Sequence, residues 1–185
     1  MLVGLAANNI TNSMTYSLYL SPLSLSEPQQ AASQIIFGGI DSSLYQGTLY
    51  EFATVGSYWF AQLSGINVTS TGKSLFNNDQ PYLILVDSGT IQMLLPQDQA
   101  DAIATLANAT YHSSSTLIDN YFLCDCNNVP FDDSLTFTFF GKLEIQVPWK
   151  DIVNNNTGVA GQCLIPIGYA QHPGGGILVY CLIHD

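Results

Sequence analysis

The chain has 185 residues, 47% of them hydrophobic and 9% charged, a balance that builds a packed core and excludes a disordered chain. Its basic side chains are Lys73, Lys142 and Lys150 alone, and its net charge is -11. Such a surface repels phosphate backbones and anionic bilayers, which sets nucleic-acid and membrane-surface partners aside.

In chain order, residues 13–20 are rich in strand formers, and the Ser-, Pro- and Gln-rich residues 21–34 read as a loop. Gln34-Ile35-Ile36-Phe37 is a second strand running into Gly38-Gly39, with turn residues Asp41-Ser42-Ser43 after it. Tyr58-Trp59-Phe60 opens an aromatic strand that Ile66-Asn67-Val68 continues, up to a turn at Thr71-Gly72-Lys73. Leu83-Ile84-Leu85-Val86 is an unbroken apolar run, which predicts a strand buried on both faces. Pro96 opens the one definite helix, with Ala100, Ile103, Leu106 and Ala107 on one face and Asp98 in the first turn. Leu135–Phe139 alternates, turns at Gly141-Lys142 and returns as Leu143–Val147, a hairpin with one buried face. Residues 153–161 form an Asn/Gly loop, and Cys163–Ile167 and Ile177–Ile183 are closing apolar strands. The fold class is therefore mostly β with one clear helix, and no solenoid-length repeat is present.

No apolar run approaches the ~18 residues that a membrane helix needs. Met1–Ala7 has neither the basic segment nor the apolar length of a signal peptide. Yet the chain carries four Asn-x-Ser/Thr sequons, at Asn9, Asn67, Asn108 and Asn155, and four cysteines, enough for two disulfides. These features predict a secreted or cell-surface protein whose targeting segment is not in this chain.

Several other clusters carry no chemistry. Cys124-Asp125-Cys126 could suggest metal binding, but His112, His172 and His184 are far apart and there is no Cys-x-x-Cys pair, so no metal site is expected, and no cofactor. Gly174–Gly176 reads as a flexible turn, because neither a helix nor a lysine follows it as a phosphate loop requires. Ser113-Ser114-Ser115 beside His112 reads as a polar loop, and Asp132-Asp133 as a solvated turn.

The chemically distinctive point is Asp87, at the end of the apolar run and followed by Ser88, Gly89 and Thr90. A carboxylate withdrawn from water needs hydrogen bonds. The Gly89 and Thr90 N–H groups and the Ser88 and Thr90 hydroxyls are placed to supply them, with Gly89 allowing the sharp turn. A carboxylate fixed by its own loop at the end of a stiff strand is preorganised for chemistry.

Around this loop the chain presents, in order, Ile36-Phe37-Gly38-Gly39-Ile40-Asp41, Tyr45-Gln46-Gly47, Tyr58-Trp59, Gly72-Lys73-Ser74-Leu75-Phe76, Val86-Asp87-Ser88-Gly89-Thr90, Leu94-Leu95-Pro96, and Asp125-Cys126 with Cys163 downstream. This series resembles the C-terminal half of pepsin-like aspartic proteases, most closely their fungal secreted or surface-anchored branch. The resemblance implies a single lobe of bent β-sheets over residues 13–185, with residues 1–12 as a remnant of the inter-lobe connection. It makes Asp87 one catalytic aspartate, Ser88 a brace between active-site loops, Gly89 the turn glycine and Thr90 a hydrogen-bond donor to the outer carboxylate oxygen. It places Tyr58 and Ile91 on the substrate side, although the family usually has Ser or Thr where Ile91 stands. It also pairs Cys126 with Cys163 in a disulfide, while the pairing of Cys124 and Cys181, or of Cys124 with Cys163, stays open.

The implied activity is hydrolysis of peptide bonds by a water activated between two aspartates that share a proton. One such loop is found here, and neither a second aspartate loop nor a flap tyrosine. Ile177-Leu178 is followed by Val179 where the family has glycine. The expected partners are a peptide or protein substrate and a missing N-terminal lobe, and the chain by itself is expected to be inactive. Two further readings compete: a non-catalytic lobe that binds peptides or proteins, and a homodimer that pairs two Asp87 residues across a two-fold axis as retroviral proteases do.

Overall fold

A computed structural model describes residues 1–19, 33–53, 59–75, 81–90, 92–113, 120–170 and 175–178. Tyr58, Ile91 and Cys181 lie outside the described residues. Two compact units are distinguished, one containing Met1–Tyr50 and one spanning Glu51–Leu182.

In the first unit, α1 (Leu2–Ala7) precedes an antiparallel hairpin of β1 (Tyr16–Tyr19) and β2 (Gln34–Phe37), in register Tyr16↔Phe37 to Tyr19↔Gln34. The first strand starts later than residue 13 because the hydroxyls of Ser13 and Thr15 bond each other at 2.6 Å, a local arrangement that competes with strand pairing. Gly38 ends the hairpin at φ 85°, where a Cβ would lie 2.7 Å from the Cβ of Thr11. Asp41 then caps a short 3-10 turn, accepting from the Ser43 N–H at 2.9 Å and its hydroxyl at 2.7 Å. The Gly-Gly-Ile-Asp segment is thus a built turn.

The second unit contains, in chain order, β3 (Phe60–Val68), β4 (Tyr82–Val86), β5 (Met93–Leu95), α2 (Gln97–Leu106), β6 (Thr110–Ser113), β7 (Asn120–Asp125), β8 (Ser134–Phe139), β9 (Leu143–Pro148), α3 (Trp149–Ile152), β10 (Gln162–Ile165), β11 (Ile167–Tyr169) and β12 (Gly175–Leu178). Among the described residues these strands form a seven-stranded sheet, ordered β11-β5-β12-β4-β3-β8-β9, and a three-stranded sheet, β10-β7-β6. The β8–β9 hairpin closes at Phe139↔Leu143 with Gly141 at φ 65°. Leu63, Ile66, Ile84, Leu95, Ile103, Phe137, Trp149 and Ile165 are sealed in the core. In α2, Pro96 is the N-cap, Ala100 and Ile103 are buried as the periodicity predicts, and Gln99 is buried with them.

Several sequence expectations are corrected. Ser113, read with Ser114 and Ser115 as a polar loop, is the last residue of β6, where β7 pairs with it and the neighbouring His112 ring stacks on Tyr121, while Ser114 and Ser115 lie outside the described residues. Asp133 is not simply solvated, because it joins two elements, accepting from the Ser70 hydroxyl at 2.5 Å, the Ser70 N–H at 3.1 Å and the Ser134 N–H at 2.8 Å. The Cys163–Ile167 run is split at Pro166, which removes a ladder donor and sends Ile167–Tyr169 to the other sheet. Gly175 and Gly176 belong to a strand and not to a turn. Finally, β4 is not buried on both faces: Tyr82 and Ile84 are, whereas Leu83 and Leu85 are half-buried and Val86 is exposed. Only one face of this strand meets the core formed by the described residues.

Cys126 and Cys163 form a disulfide with a Cα–Cα distance of 5.0 Å across a separation of 37 residues. Cys124 faces Cys163 in the β7–β10 register but keeps a free, buried thiol directed at the Cys163 carbonyl, 3.8 Å away. Burial, reinforced by the neighbouring Asp125 charge, pushes this thiol up from its ordinary pKa.

Candidate active site

The site is built where β4 stops. Its last residue, Val86, is tied to the strand end beside it by a 3.0 Å hydrogen bond to the Trp59 carbonyl. Strands β4 and β5 follow one another in sequence but do not pair, because β12 lies between them. That strand runs parallel to β4, from Gly175↔Leu83 to Leu178↔Val86, and antiparallel to β5 at Ile177↔Leu94. The segment from Asp87 to Gln92 must therefore pass across the end of β12 to reach β5. Asp87 is the first residue after β4 at the start of this connection.

Both oxygens of Asp87 are held. The Gly89 N–H donates to Oδ1 at 2.9 Å, and the Thr90 hydroxyl donates to Oδ2 at 2.5 Å. A Cβ on residue 89 would lie 3.2 Å from Oδ1, so glycine keeps this approach open. Of the four donors expected from the sequence, these two are used. The Ser88 hydroxyl, on an exposed residue, does not hold the carboxylate. The Thr90 hydroxyl, and after it the Gly89 N–H, stabilise the charged form and hold the Asp87 carboxyl below the ordinary carboxylate range. A carboxylate so placed can accept a proton from a bound water, but its depressed pKa makes it a weak base. A second carboxylate sharing one proton with it would change that balance.

Titration of the Asp87 side-chain carbon by NMR should therefore give a midpoint below the ~3.9 of a free aspartate. Thr90→Val should move that midpoint up, and an unchanged midpoint would show that the hydroxyl does not set it. Because the folded pKa lies below the unfolded one, this loop's contribution to stability is present above the ordinary carboxylate range. It is lost as the pH falls through the folded value.

Cys126 and Cys163 join the start of the turn after β7 to β10. Asn9, Asn108 and Asn155 are exposed, whereas Asn67 is half-buried within β3. Sequence reasoning missed Gly176, whose absent side chain lets β12 sit between β4 and β5. A Cβ there would lie 2.5 Å from the Leu94 carbonyl oxygen and 2.7 Å from Ile84 Cδ1. The glycine-rich run was visible in the sequence, but which strands it separates was not.

A family model described as eukaryotic aspartyl protease matches residues 3–179. The chain is 32% identical over 145 residues to Candidapepsin-2 of Candida parapsilosis, covering 78% of this chain and 32% of that protein. It is 32% identical over 169 residues to Aspartic proteinase 3 of Saccharomyces cerevisiae, covering 84% and 27%. With Secreted aspartic protease 3 of Candida albicans it shares 30% identity over 177 residues, covering 92% and 40%. The matched region thus accounts for well under half the length of each of these relatives.

Proposed function

Because the chain belongs to the eukaryotic aspartyl protease family, we propose that it is the C-terminal lobe of an acid endopeptidase in which Asp87 is one member of the catalytic pair. The observation that carries this reading is the Asp87 loop itself: a carboxylate with both oxygens held at the mouth of a strand crossing. The mostly β fold is that of a single pepsin-like lobe, and a strand face left half-covered beside the loop suits a second lobe.

In this reading a second aspartate, carried by an N-terminal lobe, shares one proton with Asp87. The ionised member takes a proton from the attacking water while the protonated member donates to the scissile carbonyl oxygen, giving a tetrahedral diol without a covalent enzyme intermediate. The Gly89 and Thr90 bonds keep the Asp87 oxygens from rotating during that exchange, an orientation whose worth lies in the transition state. The substrate is a peptide or protein held across the cleft between lobes. The similarity to yeast proteins supports the fungal branch. The word "secreted" in one relative's name, together with the disulfide, supports an extracytoplasmic location.

The test is hydrolysis of a peptide library at about pH 4, within the carboxylate range, with and without a transition-state inhibitor of aspartic proteases, alongside mass in solution. The expected result is no hydrolysis by the chain alone and inhibitable hydrolysis once it is joined to an N-terminal lobe. Inhibitable hydrolysis by a dimer of the chain alone would replace this reading with a symmetric single-aspartate enzyme. A folded two-lobe protein that binds peptides without cleaving them would leave a binding module.

A further inference from the structure

The three-stranded sheet has two unlike faces. Side chains alternate along a strand, and directly paired residues share a face. Phe122 and Cys124 of β7 point into the core with Cys163 and Ile165 of β10. The other face gathers Thr110 and His112 of β6, Leu123 and Asp125 of β7, and Gln162 of β10, through the pairs Thr110↔Leu123 and Asp125↔Gln162. Asn108 closes one end of this face and residues 159–161 close another, leaving a pocket of about 500 Å³. The bonds holding that wall include the Cys126 N–H to the Gly161 carbonyl at 2.9 Å and the Gln162 N–H to the Val159 carbonyl at 3.2 Å.

The pocket lining has polar groups to spare. Among the described residues the side chains of Asn108, Thr110, His112 and Gln162 make no hydrogen bond to protein. Asp125 uses Oδ1 to accept from the Asn127 N–H and Nδ2, each at 2.9 Å, which leaves Oδ2 unused. A cluster mixing amide, imidazole, hydroxyl and carboxylate groups matches a ligand that both donates and accepts at many points, as a sugar does. The pocket is an open depression rather than an enclosed cavity, and Asn108, Thr110, His112 and Asp125 on its lining are exposed.

Asn108 supplies the link between this pocket and a sugar. It follows α2 at φ 50°, a left-handed position that asparagine tolerates, and its N–H bonds the Thr105 carbonyl at 3.1 Å. It is exposed, and Asn108-Ala109-Thr110 is an acceptor sequence for N-linked oligosaccharide. Of the four sequons this is the one whose asparagine and threonine both line the pocket.

We propose that Asn108 carries an N-linked glycan whose first sugars lie in this pocket, a modification that rests on the extracytoplasmic reading above. Asn108 Nδ2 bonds the anomeric carbon of an oligosaccharide carried on a lipid diphosphate. The bond from that carbon to the diphosphate oxygen breaks with its electron pair left on the departing lipid diphosphate, and the proton lost by the amide passes to water. The chain then folds around the attached sugars, and His112, Asp125 and Gln162 bond their hydroxyl and acetamido groups.

The test is secretion of the chain from a yeast host, peptide mapping of each sequon, and the rate at which an endoglycosidase releases each glycan from the folded protein. Asn108 is expected to be occupied, Asn108→Gln and Thr110→Ala to lose that glycan, and Thr110→Ser to keep it. In the double variant H112A/Q162A, which removes no hydrogen bond within the protein, release at Asn108 should quicken roughly fivefold, as losing about one net hydrogen bond implies. Release at Asn155 should not change. Secreted protein with an intact Cys126–Cys163 disulfide and a bare Asn108 overturns the modification while sparing the extracytoplasmic reading. A chain that fails to be secreted, with no disulfide and every sequon bare, overturns both. An occupied Asn108 released equally fast from both proteins overturns the seating in the pocket. Mapping of the unsubstituted chain decides occupancy even where a variant fails to fold.

Discussion

Asp87→Asn, made in a two-lobed enzyme that contains this chain, should lower peptide hydrolysis by roughly 10²–10⁴-fold, the usual contribution of a positioned acid–base group. Substrate binding and stability should change little. The asparagine keeps a carbonyl oxygen for the Gly89 N–H, which now donates to Oδ1 at 2.9 Å. Its amide nitrogen would face the Thr90 hydroxyl, which can turn and accept instead of donating. The loop is thus held by the same two partners, and what disappears is the ability to exchange a proton with a second carboxylate. The measurement is kcat and KM at the acid optimum, with the thermal midpoint recorded beside them. Full activity in the variant would remove Asp87 from the chemistry. A loss of activity matched by a large fall in thermal midpoint would mark it as a structural residue. The pH dependence of the unsubstituted enzyme is a property of the pair, and neither limb of the profile should be assigned to Asp87 alone.

Gly176→Ala should cost about 1–3 kcal/mol, the range for forcing atoms into a packed interior. The added Cβ would lie 2.5 Å from the Leu94 carbonyl oxygen and 2.7 Å from Ile84 Cδ1. The Ile84 methyl can swing aside, but the Leu94 oxygen belongs to the backbone of β5, which is paired with β12 on one side and β11 on the other. Relief therefore requires β12 to move away from β5, under the crossing that carries Asp87. The matched control is Gly65→Ala, whose Cβ would meet nothing closer than 3.5 Å, at Thr138. Urea unfolding of both variants tests the idea: the Gly176 variant should lose stability and the Gly65 variant should stay near the parent. Equal stabilities would contradict the placement of β12 between β4 and β5. A shift of the Asp87 titration in Gly176→Ala alone would show that the strand supports the loop as well as the core.

The sequence by itself determined whatever depends on neighbours within a few residues. Asp87 finds its partners two and three positions on, at Gly89 and Thr90, so the bracing of the carboxylate could be read from a tetrapeptide. The β8–β9 hairpin closes through Gly141 next to strictly alternating residues, and α2 opens at Pro96 with its apolar face at spacings of three and four. These are local steric and hydrogen-bonding rules, and they hold wherever the segment sits. The tertiary structure alone decided which distant edges meet. Gly175 and Gly176 resemble a turn until β12 is laid between β4 and β5, both far earlier in the chain, where a missing side chain becomes a packing requirement. Leu83–Val86 looks evenly apolar, yet one face is sealed and the other half-open, because burial is set by what packs against a strand and not by its own residues. Thr110, His112, Asp125 and Gln162 are unremarkable polar residues in three separate stretches, and only the register of β6, β7 and β10 puts them on one face beside Asn108. Side-chain chemistry is written along the chain, whereas strand order is a competition among all possible pairings, settled by the core that buries the most apolar surface without leaving backbone groups unpaired.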